Sequence, residues 1–143
     1  MTAARILDHK GSEVFTVSPD DTLEAATRFL RDRRVGAAVA LDAQGRPAGV
    51  FSERDLVRAV AEHGAGALSM TVSSVMTRGL ITAGPGADVD ELMALMTDRR
   101  VRHVIILQDG EMTGVVSIGD VVKRKIAEAE AEAENLKAYI ESA

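Results

Sequence analysis

The chain of 143 residues has no cysteine and no tryptophan, and only three histidines, three phenylalanines and one tyrosine. Without cysteine there can be no disulfide, no thiolate metal site and no cysteine nucleophile, and nothing calls for an oxidising compartment. The histidines, His9, His63 and His103, are scattered, and no cysteine completes a set with them, which argues against a zinc site. Aromatics are 3% of residues, too few for the base-stacking platform of a single-strand-binding protein. The formal net charge of −5 lacks the cationic face that nucleic acid or anionic lipid requires, although a local basic cluster could still hold one small anion. No apolar run approaches the roughly 18 residues of a membrane-spanning helix. The opening MTAARILDHK has neither the apolar core nor the small-residue cleavage site of a secretory signal, so a cytoplasmic protein with no membrane contact is expected.

What is there is a hydrophobic content of 46%, enough for a real core at this length, and a sequence written twice. The stretch beginning at Thr16 can be laid over the stretch beginning at Thr82 with an offset of 66, which becomes 65 after a one-residue deletion near Gly110. Pro19 then meets Pro85, Asp32-Arg33-Arg34-Val35 meets Asp98-Arg99-Arg100-Val101, Gly49 meets Gly114, and Ser52-x-x-Asp55 meets Ser117-x-x-Asp120.

Each copy predicts the same elements. A short strand (Val14 to Val17; Leu80 to Ala83) stops at a proline-containing turn. A helix opens at Asp21-x-x-Glu24 or Asp88-x-x-Glu91, an aspartate cap with glutamate at the third helical position. Leu23, Ala26 and Leu30, and in the second copy Val89, Leu92, Met93 and Met96, recur at the period of a half-buried helix. Two β-rich runs follow (Ala37 to Leu41 and Ala48 to Phe51; Val104 to Leu107 and Thr113 to Val116), joined by glycine-containing turns as hairpins. A second helix begins just past each serine. The expected fold class is α+β: two β-α-β-β-α repeats, each too small to bury both faces of its sheet alone, so that the two copies should pack against each other, plus a long C-terminal helix. The expected boundaries are 1–62 for the first repeat with an N-terminal segment, 63–79 for a connection, 80–125 for the second repeat and 126–143 for the terminal helix.

Few motifs carry chemistry. The GAG of the connection and the GPG at Gly84 to Gly86 match neither G-x-G-x-x-G nor a Walker pattern in strand-to-helix context, and read as turns. Ser117, His103 and Asp120 form no triad on this reading, because the serine is in no nucleophile elbow and the aspartate belongs to the serine's own helix. No catalytic residue is expected. The arginines of RDRRV and TDRRV (Arg33, Arg34, Arg99, Arg100) end helices, where cations suit the dipole. The repeated Ser-x-x-Asp leaves two readings open. It is a capping pair, or it is a carboxylate placed beside a helix N-terminus to accept from vicinal hydroxyls while the helix faces an anion.

The duplicated unit, the VSSVMT before the second copy and the G-h-h-S-x-x-D at the end of each (h apolar) resemble a tandem pair of cystathionine-β-synthase (CBS) domains, the Bateman module. RRVRHVIILQDGEMTGVVSIGDVVK is especially similar to the second repeat of stand-alone bacterial CBS-pair proteins. The resemblance implies a non-enzymatic sensor of an adenosyl ligand: AMP, ADP, ATP or NAD(H), with S-adenosylmethionine ranked below these. It implies that the aspartate accepts from ribose hydroxyls, that the two repeats are related by a pseudo-two-fold, and that the pocket is therefore crossed, the aspartate of one repeat facing strand residues of the other. Site one would be Ser52 and Asp55 with Ile81, Val101, Arg102, His103 and Ile105, where the Arg-His stretch supplies phosphate contacts. Site two would be Ser117 and Asp120 with Phe15, Val35, Gly36 and Ala37, which offer no charge, so the sites should be unequal. For Arg102 the alternative is a solvated surface arginine, and for His103 a hydrogen-bonded packing histidine.

The tail from Val121 has no glycine or proline and is rich in Ala, Glu and Lys, a strong helix composition. Ile126, Ala133 and Ile140 fall seven apart, as do Ala129 and Leu136, giving an a/d seam under three heptads long. It either docks on its own domain or serves as a partner helix in a homodimer, the state the family resemblance supports. The expected function is a regulatory adenosyl-nucleotide-binding module that signals occupancy to a separate target protein. The rival reading is a ligand-free homodimeric interaction scaffold.

Overall fold

The computed structural model describes residues 1–11 and 13–142. The chain divides into two compact units, a middle one of Glu13–Leu80 and a terminal one joining Met1–Ser12 to Ile81–Ala143. In the middle unit the elements are β1 (Thr16–Val17), α2 (Leu23–Arg33), β2 (Ala37–Leu41), β3 (Pro47–Ser52), α3 (Glu53–His63), a 3-10 turn (Gly64–Ser69) and the short α4 (Val72–Val75). The terminal unit holds α1 (Ala3–Lys10), β4 (Thr82–Ala83), α5 (Val89–Arg99), β5 (His103–Gln108), β6 (Glu111–Ser117) and α6 (Ile118–Ser142). Each unit carries a three-stranded sheet in which the first strand runs parallel to the central one and the third runs antiparallel to it.

The compact units group the chain differently from the repeats as read in the sequence, in three places. The N-terminal segment does not stay with the first repeat: Ala3, Ile6 and Leu7 of α1 bury themselves with Val89, Leu92, Val104, Ile106 and Val116 of the second. Residues 63–79 are not a bare connection, because they give Ala67, Val72 and Met76 to the core around Leu23, Leu30 and Phe51. No break separates 125 from 126, since α6 runs unbroken from the second repeat into the tail. Each segment that precedes one repeat in the chain thus completes the core of the other.

Two glycines make room for this exchange. A Cβ at Gly49 of β3 would lie 2.6 Å from Met76 Sδ and 2.9 Å from the Thr77 carbonyl oxygen, and one at Gly114 of β6 would lie 2.6 Å from both terminal methyls of Leu7. In the middle unit the close approach is sealed by a reciprocal backbone pair, Val50 N to Thr77 O and Thr77 N to Val50 O, both 2.9 Å.

The helices bury the stripes their sequence prescribes: Leu23, Ala26 and Leu30 in α2, and Val89, Leu92 and Met96 in α5, with Met93 partly buried against the same core. The cap of α5 is Asp88, as expected, accepting from Glu91 N at 2.8 Å. The cap of α2 is Thr22 rather than Asp21. Thr22 Oγ1 accepts from Ala25 N (3.1 Å), while the Asp21 carboxylate turns back to accept from Ser18 N (3.0 Å) and closes the turn around Pro19. Both helices end on an arginine in the left-handed conformation, Arg34 (φ 57°) and Arg100 (φ 54°), where a glycine would be unstrained. Arg33 lies over the rings of Phe15 (5.9 Å) and Phe29 (5.5 Å), which meet edge to face.

Candidate functional site

Each third strand ends on a serine in extended conformation, and a helix starts at the next residue. In the middle unit Ser52 Oγ accepts from Asp55 N (3.4 Å), and Asp55 Oδ2 accepts from Ser52 N (2.9 Å) and Ser52 Oγ (3.1 Å). In the terminal unit Ser117 Oγ accepts from Asp120 N (3.2 Å), and Asp120 Oδ2 accepts from Ser117 N (2.8 Å) and Ser117 Oγ (3.0 Å). The capping reading of Ser-x-x-Asp is therefore realised in both copies. It uses one carboxylate oxygen, Oδ2, and leaves the other free of the cap.

The first helical N–H is clamped in the same way in each unit. Glu53 N donates to Gly36 O at 3.0 Å, and Ile118 N donates to Arg102 O at 2.8 Å. These bonds fix the residue just before the central strand against the helix N-terminus, and Ala37 pairs with Ser52 as His103 pairs with Ser117. The middle unit so gathers Gly36, Ala37, Ser52 and Asp55 at one end of its sheet. The terminal unit gathers Arg102, His103, Ser117 and Asp120.

Chemically the two ends differ. Beside Gly36 lies a carboxylate, since Glu53 Oε2 would be 3.6 Å from a Cβ there, whereas the equivalent position in the terminal unit is the exposed Arg102. Asp55 is buried, 5% exposed, with the Arg58 guanidinium 3.8 Å from its Oδ1. Asp120 is more open, 21% exposed in its side chain, and Lys10 of α1 reaches it with Nζ 2.6 Å from Oδ2 while also donating to Val115 O at 2.9 Å. Burial, the largest single influence on Asp120, pushes its pKa up. The Lys10 hydrogen bond, the Ser117 N–H, the charge of Lys10 and the Ser117 hydroxyl together outweigh it and hold the carboxyl below its ordinary value of 3.8. A carboxylate beside a helix N-terminus has the chemistry to accept from a diol while the helix end faces an anion.

The remaining residues singled out in the sequence are apolar and pack with the cores. Phe15 and Val35 pack against the core of the middle unit, Ile81 and Val101 against that of the terminal unit, and Ile105 is 1% exposed on the central strand β5. Lys10 is the residue that sequence reasoning missed. It lies 110 positions from Asp120, and nothing in the local sequence says that α1 folds back on the second repeat. Among the described residues no cluster of histidine and carboxylate side chains could hold a metal ion, and no helix is long and apolar enough to cross a membrane.

Comparison with known proteins places this geometry. The chain is 39% identical over 126 residues to the mitochondrial CBS domain-containing protein CBSX3 of Arabidopsis thaliana, an alignment covering 85% of this chain and 61% of that protein's length. This chain thus spans only part of that relative. Its structure superposes with a TM-score of 0.83 on the CBS-domain-containing protein ATU1752 of Agrobacterium tumefaciens, at 42% identity over 87% of this chain and 92% of the other. A CBS domain protein of Pyrobaculum aerophilum, PAE2072, solved in complex with AMP, superposes at 0.73 with 28% identity, covering 84% of this chain and 89% of that one. The CBS domain family matches residues 7–62 and 72–127, one span for each Ser-x-x-Asp. With both copies of the motif inside these spans and the α+β pair fold around them, the chain belongs to the CBS domain family as a tandem pair.

Proposed function

We propose that this CBS pair is a regulatory module that binds an adenosyl nucleotide and, as a homodimer, signals occupancy to a target protein. The observation that carries the reading is the half-used carboxylate. In each copy Oδ2 is spent on the cap while Oδ1 takes no part in it, facing the Arg58 guanidinium at 3.8 Å in the middle unit, and is available to accept from a ribose beside a helix N-terminus that favours phosphate. The AMP held by the Pyrobaculum relative supports the ligand class. AMP, ADP, ATP and NAD(H) share the ribose diol and a phosphate; S-adenosylmethionine has the diol but carries a cation where they carry an anion, and ranks below them. Arg102 is assigned to phosphate, where its fork matches two oxygens, and His103 to a second donor next to it. Asp55 and Asp120 are assigned to ribose, Ser52 and Ser117 to the helix start that faces it, and the apolar residues Phe15, Val35, Ile81, Val101 and Ile105 to the walls. The module itself performs no chemistry on this reading.

The completeness of both caps also suits a ligand-free scaffold, in which the serines and aspartates only start helices. A thermal shift experiment with AMP, ATP, NADH and S-adenosylmethionine separates the two. A ligand that binds only the folded chain at about 100 times its Kd adds about 2.7 kcal/mol of apparent stability. A rise in Tm with a phosphate-bearing ligand supports the sensor, and no rise with any of the four favours the scaffold.

A further inference from the structure

From Ala129 to Ser142 every residue of α6 is exposed, so nothing in the fold holds this part of the helix. Yet one side of α6 is apolar: Val122 and Ile126 before this part, and Leu136 and Ile140 within it, are 47%, 54%, 60% and 64% exposed. Val122 falls in the same a/d register as Ile126, Ala129, Ala133, Leu136 and Ile140, which lengthens the seam by half a heptad at its start. Such a stripe in water is unfavourable unless something covers it.

The charges flanking the seam say what does. In this register the g positions are Lys125, Glu132 and Tyr139, and the e positions are Lys123, Glu130 and Lys137. In a parallel, in-register pair of helices each g residue meets the e residue five positions on in the other helix. Lys125 would then meet Glu130 and Glu132 would meet Lys137, opposite in sign both times. An antiparallel pair with full overlap of the seam instead sets Glu130 against Glu130, Glu132 against Glu132 and Lys123 against Lys137. Lys125 is already steadied at the seam's edge by Asp90, 3.0 Å from its Nζ.

We infer that the exposed half of α6 is an interaction surface for a second copy of the same chain, closing as a parallel, in-register two-helix seam. The inference rests on the homodimer proposed above and adds its contact and its direction. The seam is under three heptads and two of its six layers, Ala129 and Ala133, are alanine, so it acts together with the rest of the dimer, which raises the effective concentration of the two tails.

The absence of cysteine makes the test direct. In the full chain, Leu136→Cys places a thiol at a d position and Ala131→Cys places one at f on the far side. A parallel in-register seam brings the two Leu136→Cys sites within the roughly 7 Å between Cα atoms that a disulfide spans, so mild oxidation should yield covalent dimer about tenfold faster or more than for Ala131→Cys. Glu132→Lys should weaken the dimer in sedimentation equilibrium by about tenfold, and adding Lys137→Glu to it should restore the affinity. A sedimenting dimer whose Leu136→Cys variant cross-links no faster than Ala131→Cys overturns the seam and leaves the homodimer standing. Preferential cross-linking between Leu136→Cys and Ile126→Cys chains overturns the parallel direction, and a chain that stays monomeric at all concentrations overturns both proposals.

Discussion

Replacing Lys10 by Met keeps most of the side chain's packing and removes its ammonium, which lies 2.6 Å from Asp120 Oδ2 and 2.9 Å from Val115 O. A charge-assisted hydrogen bond contributes about 1.5–3 kcal/mol when enclosed, and an exposed ion pair about 0.2–1 kcal/mol. Lys10 is 36% exposed and Asp120 21%, so solvent screens the pair substantially. The loss at neutral pH should be about 1 kcal/mol, or about 2–4 °C in Tm for a chain of this size. The sign of the pH dependence follows from Asp120, whose pKa in the folded chain is held below 3.8. A depressed carboxylate contributes stability that is fully present above the unfolded value and is lost as the pH falls through the folded one. The difference between wild type and Lys10→Met should therefore hold steady from pH 7 to about 5 and close as the pH falls below the ordinary carboxylate range. Urea unfolding at a series of pH values measures it, and carboxyl NMR should show the Asp120 pKa rising in the variant. A variant as stable as wild type at pH 7, or a difference that widens on acidification, would refute the assignment of Lys10 as the partner that anchors α1 to the second repeat.

Five other substitutions probe different parts of the structure. Gly49→Ala should cost about 1–3 kcal/mol, because its Cβ would meet the Thr77 backbone as well as Met76, and Gly114→Ala less, because the methyls of Leu7 can swing aside; urea midpoints that reverse this order would contradict the close approaches. Arg34→Gly and Arg100→Gly should each stabilise by about 0.5–1 kcal/mol by removing left-handed strain, and a lowered midpoint in either would show that the arginine side chain matters more than its backbone. Arg102→Ala should weaken AMP binding more than adenosine binding, with added salt narrowing the gap; calorimetry giving equal losses would make Arg102 structural.

The repeat was legible because its signals are local. The alternation that ends at Ser52 and Ser117, the Leu23 and Leu92 stripes and the hairpin glycines all act within one element, and the strands and helices appear where those residues place them. The choice between Thr22 and Asp21 as a cap was less legible, since both are good acceptors and Ser18 N decides by claiming the aspartate. What the sequence hid was the exchange of segments. Leu7 opposite Gly114 and Met76 opposite Gly49 are contacts between residues far apart in the chain, each readable only as a glycine that has no local need to be one. Lys10 was hidden for the same reason, and with it the difference in charge environment between Asp55 and Asp120. Arg33 read as a helix-end cation, and its stacking on Phe15 and Phe29 depends on tertiary placement that no spacing rule reports.

Calorimetric titration of AMP into the wild type, Ser52→Ala with Ser117→Ala, and Asp55→Ala with Asp120→Ala separates a carboxylate that binds ribose from one that only starts a helix. Losing a serine cap costs about 0.5–2 kcal/mol of stability each but keeps both carboxylates, whereas losing an aspartate removes the ribose acceptor as well, worth about 1.5–3 kcal/mol per site. AMP should bind the wild type, bind the folded serine pair as well, and bind the aspartate pair about 10- to 150-fold more weakly per site. Binding that is undiminished in the aspartate pair, or absent from the wild type, would contradict the ribose role of the aspartates.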